Sequence, residues 1–299
     1  MSERATVRPV TLGRLVEVTH LCEGSETSSD GVSERLRVTH RRARETILEA
    51  LRIGLIESIG TGDEDDLYSA TAVGQAFLEA VREEEWSEVS SILYTRSPHY
   101  RAFLDMVDEV GPAVLEELLD RLETAFEHDT YSFNQTGIEV VGDWAERLGV
   151  VQRNAFSGSY YQIRTREVSA NFPHVVLSVY DELEETSGVN LRQRYLSIPE
   201  LREYTCERLQ CDRTAFDEAL GSLTADNVGK LELSGAPMDT GAKDARYGIK
   251  EIELGGDEHL VSTTQSTDQV MAGVEQYGKQ YYYLAVYDRD LRFTYEGTQ

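Results

Sequence analysis

The stretch Val32-Ser-Glu-Arg-Leu-Arg-Val-Thr-His-Arg-Arg-Ala-Arg-Glu-Thr-Ile-Leu-Glu-Ala-Leu-Arg-Ile-Gly-Leu-Ile56 decides the fold. Thr39 can accept a hydrogen bond from the first free backbone N–H groups of a helix, and Gly54 can end it. The spacing therefore predicts a helix over 40–53. Ala43, Ile47, Leu48 and Leu51 then give it one apolar face. Val32 to Val38 reads as a shorter helix just before it. Leu55 to Ile59 and Leu67 to Thr71 read as strands around the turn Gly60-Thr-Gly-Asp-Glu-Asp-Asp66. Further out, Thr11 to Cys22 and Ala72 to Glu85 read as helices, and Gly24 to Asp30 as a Ser/Gly-rich loop.

The same order returns along the chain. Helices are expected at Pro98 to Val110, Pro112 to His128 and Asn134 to Leu148, with Pro112 in a first turn. Strands at Val150 to Asn154 and Tyr160 to Thr165 follow. Phe172 to Thr186 reads as a connecting helix. Ile198 to Leu209 and Arg213 to Ala225 are helical, the latter capped by Asp212. Lys230 to Leu233 and Tyr247 to Leu254 flank a Gly/Ala/Asp-rich tip, Ser234 to Arg246. Gly255 to Gly278 reads as polar loop, and Tyr281 to Tyr287 with Leu291 to Tyr295 as a terminal hairpin.

Helix, helix, helix, hairpin is an order that resembles the winged helix-turn-helix superfamily. The stretch at 32–56 and Val140-Val-Gly-Asp-Trp-Ala-Glu-Arg-Leu-Gly-Val-Val151 carry the resemblance best. Each runs a helix into an Ile-Gly or Leu-Gly break and then a strand. The resemblance implies a mainly α fold with small β-hairpins (α+β), as tandem winged-helix domains. The expected segments are 1–86 (first unit), 87–167 (second unit), 168–196 (connector) and 197–299 (third unit with a C-terminal hairpin).

With 40% hydrophobic residues the chain can bury real cores, so disorder throughout is excluded. It has no apolar run of about 18 residues, so no membrane-spanning helix is expected. Met1 to Val10 carries charges and no apolar core, unlike a secretory signal. Three cysteines make no disulfide framework. These readings point to the cytoplasm. The net charge is −25, and 25 of the 29 basic residues are arginine. Many acids and almost no lysine resemble the proteins of haloarchaea. At molar salt the Debye length is about 3 Å, so self-repulsion is screened. The net charge then does not exclude nucleic acid, and a local basic patch stands out against it.

Two patches do. Residues 33–52 hold six arginines against three glutamates. Arg35, Arg37, Thr39, Arg41, Arg42 and Arg44 fall around the start of the third helix, which the resemblance puts in a DNA major groove. Arginine forks there can grip guanine edges or phosphates. The other reading is a solvated helix face with ion pairs such as Arg41–Glu45. The second patch is Arg147, Arg153, Tyr160, Tyr161, Arg164 and Arg166, in a span with no acid. It suits either a phosphate-tracking wing or a partner interface. Asp217 and Glu218 make the corresponding helix of the third unit acidic. Nine acids against one arginine from Asp105 to Asp129 make a further acidic surface.

No catalytic signature emerges. Gly273-Val-Glu-Gln-Tyr-Gly-Lys279 matches a phosphate-binding loop up to its lysine, but Gln280 stands where the Mg²⁺-binding hydroxyl belongs, and a strand pattern follows. Cys206 and Cys211 lack a second ligand pair, and six histidines are scattered. The expectation is a non-enzymatic DNA-binding protein without a cofactor, either a transcription regulator or the DNA-reading subunit of a genome-maintenance or defence assembly. The rival is a protein adaptor built from the same modules. DNA is the expected partner, with a protein partner or homo-oligomer open, and no membrane.

Overall fold

The computed structural model describes residues 6–59, 67–186, 195–235 and 270–294. The protein is mainly helical with small antiparallel sheets, and eleven helices lie among the described residues. The described residues divide into two compact units, one up to Val151 and one from Gln152 on. No helix among the described residues is long and apolar enough to cross a membrane.

The first unit opens with α1 (Leu12–Leu21), whose Thr11 cap accepts a hydrogen bond from Arg14 N. β1 (Thr27–Ser28) leads into α2 (Ser29–Arg35). α3 spans His40–Ile53, capped by Thr39 and ended by Gly54 at φ 78°. Glycine adopts that left-handed backbone without penalty. β2 (Ile56–Ser58) and β3 (Leu67–Ala70) follow, then α4 (Ala72–Arg82). The sheet order is β1-β3-β2, with Thr27 opposite Tyr68 and Ile56 opposite Ala70. The turn expected at 60–66 lies outside the described residues.

The buried face of α3 is Ala43, Thr46, Ile47, Glu49, Ala50 and Ile53, and Leu48 and Leu51 are only half-buried. The face is thus rotated from the expected one. Small residues at 43, 46 and 50 let α3 lie close to its neighbours, chiefly α1 and α2, and the leucines fall to the margin.

α5 (Trp86–Arg96), α6 (Pro98–Val110), α7 (Leu115–Ala125) and α8 (Gln135–Arg147) complete the unit. Pro112 is not in a first turn, since α7 starts at Leu115 with Val114 as cap. Its buried residues, Leu115, Leu118 and Leu122, keep helical spacing only from there. Residues 6–86 and 87–151, read as different segments in the sequence, share this unit. Trp144 of α8 illustrates why: fully buried, it donates to the Val10 carbonyl at 2.9 Å.

In the second unit, β4 (Val151–Arg153) and β5 (Tyr160–Gln162) form a hairpin. α9 (Phe172–Thr186), β6 (Leu196–Ser197), α10 (Ile198–Leu209), α11 (Arg213–Asp226) and β7 (Leu231–Ser234) come next. α9 is more than a connector: Phe172, Val176, Val179 and Tyr180 sit in the core with Ile198, Leu201, Phe216 and Leu284. β8 (Val274–Gln276), β9 (Lys279–Tyr281) and β10 (Tyr283–Val286) end the described chain. β10 pairs with β6 on one side and β7 on the other, Leu284 facing Leu196 and Leu233. The expected terminal hairpin is therefore corrected: β10 is the central strand of a sheet, and residues 291–294 form no strand. The strand expected at 247–254 lies outside the described residues. α1–β3 runs helix, strand, helix, helix, strand, strand, with the last strand central, and α9–β10 follows the same order except that the separate hairpin β8–β9 is inserted before its central strand.

Candidate nucleic-acid interface

α2 and α3 are joined by Leu36, Arg37, Val38 and Thr39. Ser33 holds the corner by donating to the Val38 carbonyl at 2.8 Å. Arg37 takes φ 51°, a left-handed backbone that disfavours any residue with a Cβ. Thr39 Oγ1 accepts from Arg42 N and starts α3.

This geometry exposes Arg35, Arg37, Thr39, Arg41, Arg42 and Arg44 together. Arg41 is 88% exposed and meets Glu45 at 3.3 Å, the pair expected in the sequence. His40 meets Asp30 at 3.2 Å, both exposed. Among the described residues Arg35, Arg37, Arg42 and Arg44 make no ion pair. Arg35 ends α2, Arg37 lies in the turn, and Arg42 and Arg44 leave α3 on the two flanks of Ala43; all four charges are open to solvent.

Arg52, in the same basic stretch, does something different. Its Nε donates to Glu49 Oε1 at 3.0 Å, and its Nη1 to His99 Nδ1 at 3.1 Å. Glu49 is fully buried and also accepts from the backbone and guanidinium of Arg8, at 3.2 and 3.4 Å. His99 Nε2 in turn lies 3.2 Å from the Ser132 carbonyl. Arg52 is thus an anchor for the end of α3, not part of the open face.

A residue that sequence reasoning missed joins the face. Arg14 of α1, paired with Glu17 at 2.6 Å, lines a cleft of about 540 Å³ with Thr11, Thr39, Arg41 and Arg42. Nothing in the sequence places residue 14 beside residue 39. Only the packing of α1 on α3 does so.

The second patch does not assemble. Tyr160 and Tyr161, expected on an exposed wing, are buried at 2% and 0%. Tyr161 packs with Phe172, Ile198, Cys206 and Phe216, and its hydroxyl meets Gln152 Nε2. Burial, with the neighbouring Cys206 and Glu203, pushes its pKa well up. Arg153 lies over the Tyr160 ring at 5.2 Å and donates to the Gly158 carbonyl. Arg147 is largely buried and holds both oxygens of Asp143 at 2.9 Å. Burial raises the Asp143 pKa, and Arg147 opposes that rise. Arg164 and Arg166 alone are exposed.

The acid-free span misled because its acids come from elsewhere. Glu203 Oε2 accepts from Ala155 N, and Glu207 Oε2 from Asn154, Ser157 and Ser159. Arg213, buried and paired with Glu203 at 2.5 Å, donates to the Arg153 carbonyl. The rest of α11 exposes Thr214, Glu218, Ser222, Ala225 and Asp226, and no basic residue. Among the described residues no three His, Cys, Asp or Glu side chains are placed to hold a metal ion. No family model matches the chain, and no curated protein sequence matches it.

Proposed function

We propose that this chain is a non-enzymatic DNA-binding protein in which Leu12 to Arg82 is a winged-helix module that lays α3 in the major groove. The observation that carries the reading is the cluster of open arginines around the α2–α3 turn: Arg35, Arg37, Arg42 and Arg44 are exposed, without ion pairs among the described residues. The element order and the β1-β3-β2 sheet support the module, since a helix followed directly by a hairpin is the arrangement that offers its first turns to a groove. Arg14, Arg41 and Arg42 grip backbone phosphates, and Arg44 reaches base edges. The chain would act as a transcription regulator or as the DNA-reading subunit of a larger assembly, and α9 to β10 would be a second module of the same plan.

The test is fluorescence anisotropy of the full chain on duplex DNA across a KCl series. Log affinity should fall linearly with log salt. The double substitution Arg42→Ala, Arg44→Ala should flatten the slope by about 0.9 for each phosphate no longer neutralised. Unchanged affinity and slope in that variant would remove the reading. One observation favours the adaptor reading for the second module: the exposed side of α11 is acidic, so it would repel phosphate and suit a protein partner.

A further inference from the structure

The heptapeptide Gly273 to Lys279 folds as a hairpin. β8 and β9 pair with Gln276 opposite Lys279, leaving Tyr277 and Gly278 as a two-residue turn. Both residues have positive φ, 54° and 70°. Two-residue turns of this kind favour Asn-Gly, because asparagine and glycine tolerate the left-handed backbone. Gly278 suits the position. Tyr277 does not, and its ring is also 83% exposed. Among the described residues its side chain has neither a ring partner nor a hydrogen bond. Neither the turn nor the core accounts for a tyrosine there.

The hairpin is held firmly behind this ring. Arg202, almost fully buried, donates to the Val270 and Ala272 carbonyls at 3.1 and 2.9 Å, and to Asp217 at 2.7 Å. Gln276 Nε2 donates to the Gly221 carbonyl of α11 at 3.1 Å. Gly273 abuts the Tyr281 carbonyl so closely that a Cβ would not fit. A rigidly presented side chain loses little freedom on binding.

We propose that Tyr277 and Lys279 form a binding site for single-stranded nucleic acid, the ring stacking on an unpaired base and the ammonium group facing the adjoining phosphate. An aromatic anchor of a protein interface sits in an apolar patch. Here Val274 is buried, Tyr281 is half-buried against the core, and the other exposed side chains of the hairpin, Glu275, Lys279 and Gln280, are polar. A lone ring beside a cation suits a nucleobase, whose π-face needs no apolar surround. The site belongs to the second unit and does not depend on the duplex reading of α3.

The experiment compares labelled oligothymidylate with blunt duplex, using the full chain. Tyr277→Ala should weaken single-strand binding by about fivefold to a hundredfold, and Tyr277→Trp should preserve it. Tyr277→Asn, which suits the turn, should lose binding like alanine while its Tm holds or rises. Lys279→Gln should reduce the single-strand salt slope by about 0.7. Duplex affinity should not change in any variant. A wild-type chain that binds no single strand would overturn the site, as would alanine and asparagine variants that bind like wild type. Equal losses on duplex and single strand would also overturn it. So would a protein partner lost on Tyr277→Ala with single-strand affinity intact.

Discussion

α3 carries two glutamates one turn apart, and their removal should differ roughly tenfold in effect. Glu45 meets Arg41, which is 88% exposed. An exposed i,i+4 pair stabilises by about 0.3–0.5 kcal/mol, so Glu45→Ala should cost no more than that. Glu49 is fully buried and accepts from Arg8 N, Arg8 Nη1 and both Nε and Nη2 of Arg52. Arg52 itself is only 7% exposed. Glu49→Ala leaves a buried guanidinium without its counter-charge, with His99 Nδ1 at 3.1 Å and Ser97 Oγ at 3.5 Å as its remaining acceptors. Breaking a buried pair from one side costs about 3–5 kcal/mol. The Arg8 backbone N–H also loses its acceptor, and the two losses overlap because both fall on one carboxylate.

A domain's whole stability is about 5–15 kcal/mol, so Glu49→Ala should bring the first unit close to unfolding at ambient temperature. Urea denaturation followed by circular dichroism reads this without adding ions. Repeating it in 1 M KCl, where the Debye length is about 3 Å, separates the two sites again. The small Glu45 effect should vanish, and the Glu49 effect should persist because salt does not reach it. If the two alanine variants lie within about 1 kcal/mol of each other, the Glu49 carboxylate is hydrated and the anchoring argument fails.

Arg37→Gly should raise thermal stability by up to about 1 kcal/mol, because it relieves the left-handed backbone, and should weaken duplex binding because it removes a cation. A variant that gains stability but binds DNA like wild type takes Arg37 off the contact face. Cys22 is fully buried and its thiol is pushed up to about 11 by desolvation. The folded state therefore favours the protonated form. That contribution is complete below the unfolded thiol value of about 8.5 and is lost as pH rises towards 11. Stability measured between pH 8 and 11 should fall, less steeply in Cys22→Val, and the native thiol should resist alkylation at pH 8; rapid alkylation of the native chain would contradict its burial.

α3 was legible to the residue because its signals are local. Thr39 and Gly54 mark its ends, and both do so through backbone groups within one turn. The open face was less so: an inward face of Ala43, Ile47, Leu48 and Leu51 has residue 44 within its arc, and only the rotation onto Ala50 and Ile53 leaves Arg44 outside. Strand partners were not legible. β10 pairs with β6 and β7, far away in sequence, and no local spacing encodes that choice. Tyr160 and Tyr161 were misread for a related reason. Consecutive strand residues face opposite sides, so one of two tyrosines should be exposed if one side of the hairpin is wet. Both are buried, Tyr161 in the core and Tyr160 under Arg153.

Arginine does two jobs in this chain, and the sequence does not tell them apart. Arg202 and Arg213 are buried clamps whose planar forks meet carboxylates and backbone carbonyls together. A lysine, with its compact hydrated charge, would fill neither place well. Arg35, Arg37, Arg42 and Arg44 carry the same group into solvent. α3 and α11 each lead into a strand that pairs with the central strand of its sheet, yet one exposes arginines and the other acids. The shared plan therefore cannot assign their roles. The assignment rests on where each guanidinium ends up: Arg52, Arg202 and Arg213 have found partners inside the fold, whereas Arg35, Arg37, Arg42 and Arg44 keep their charge open on the surface.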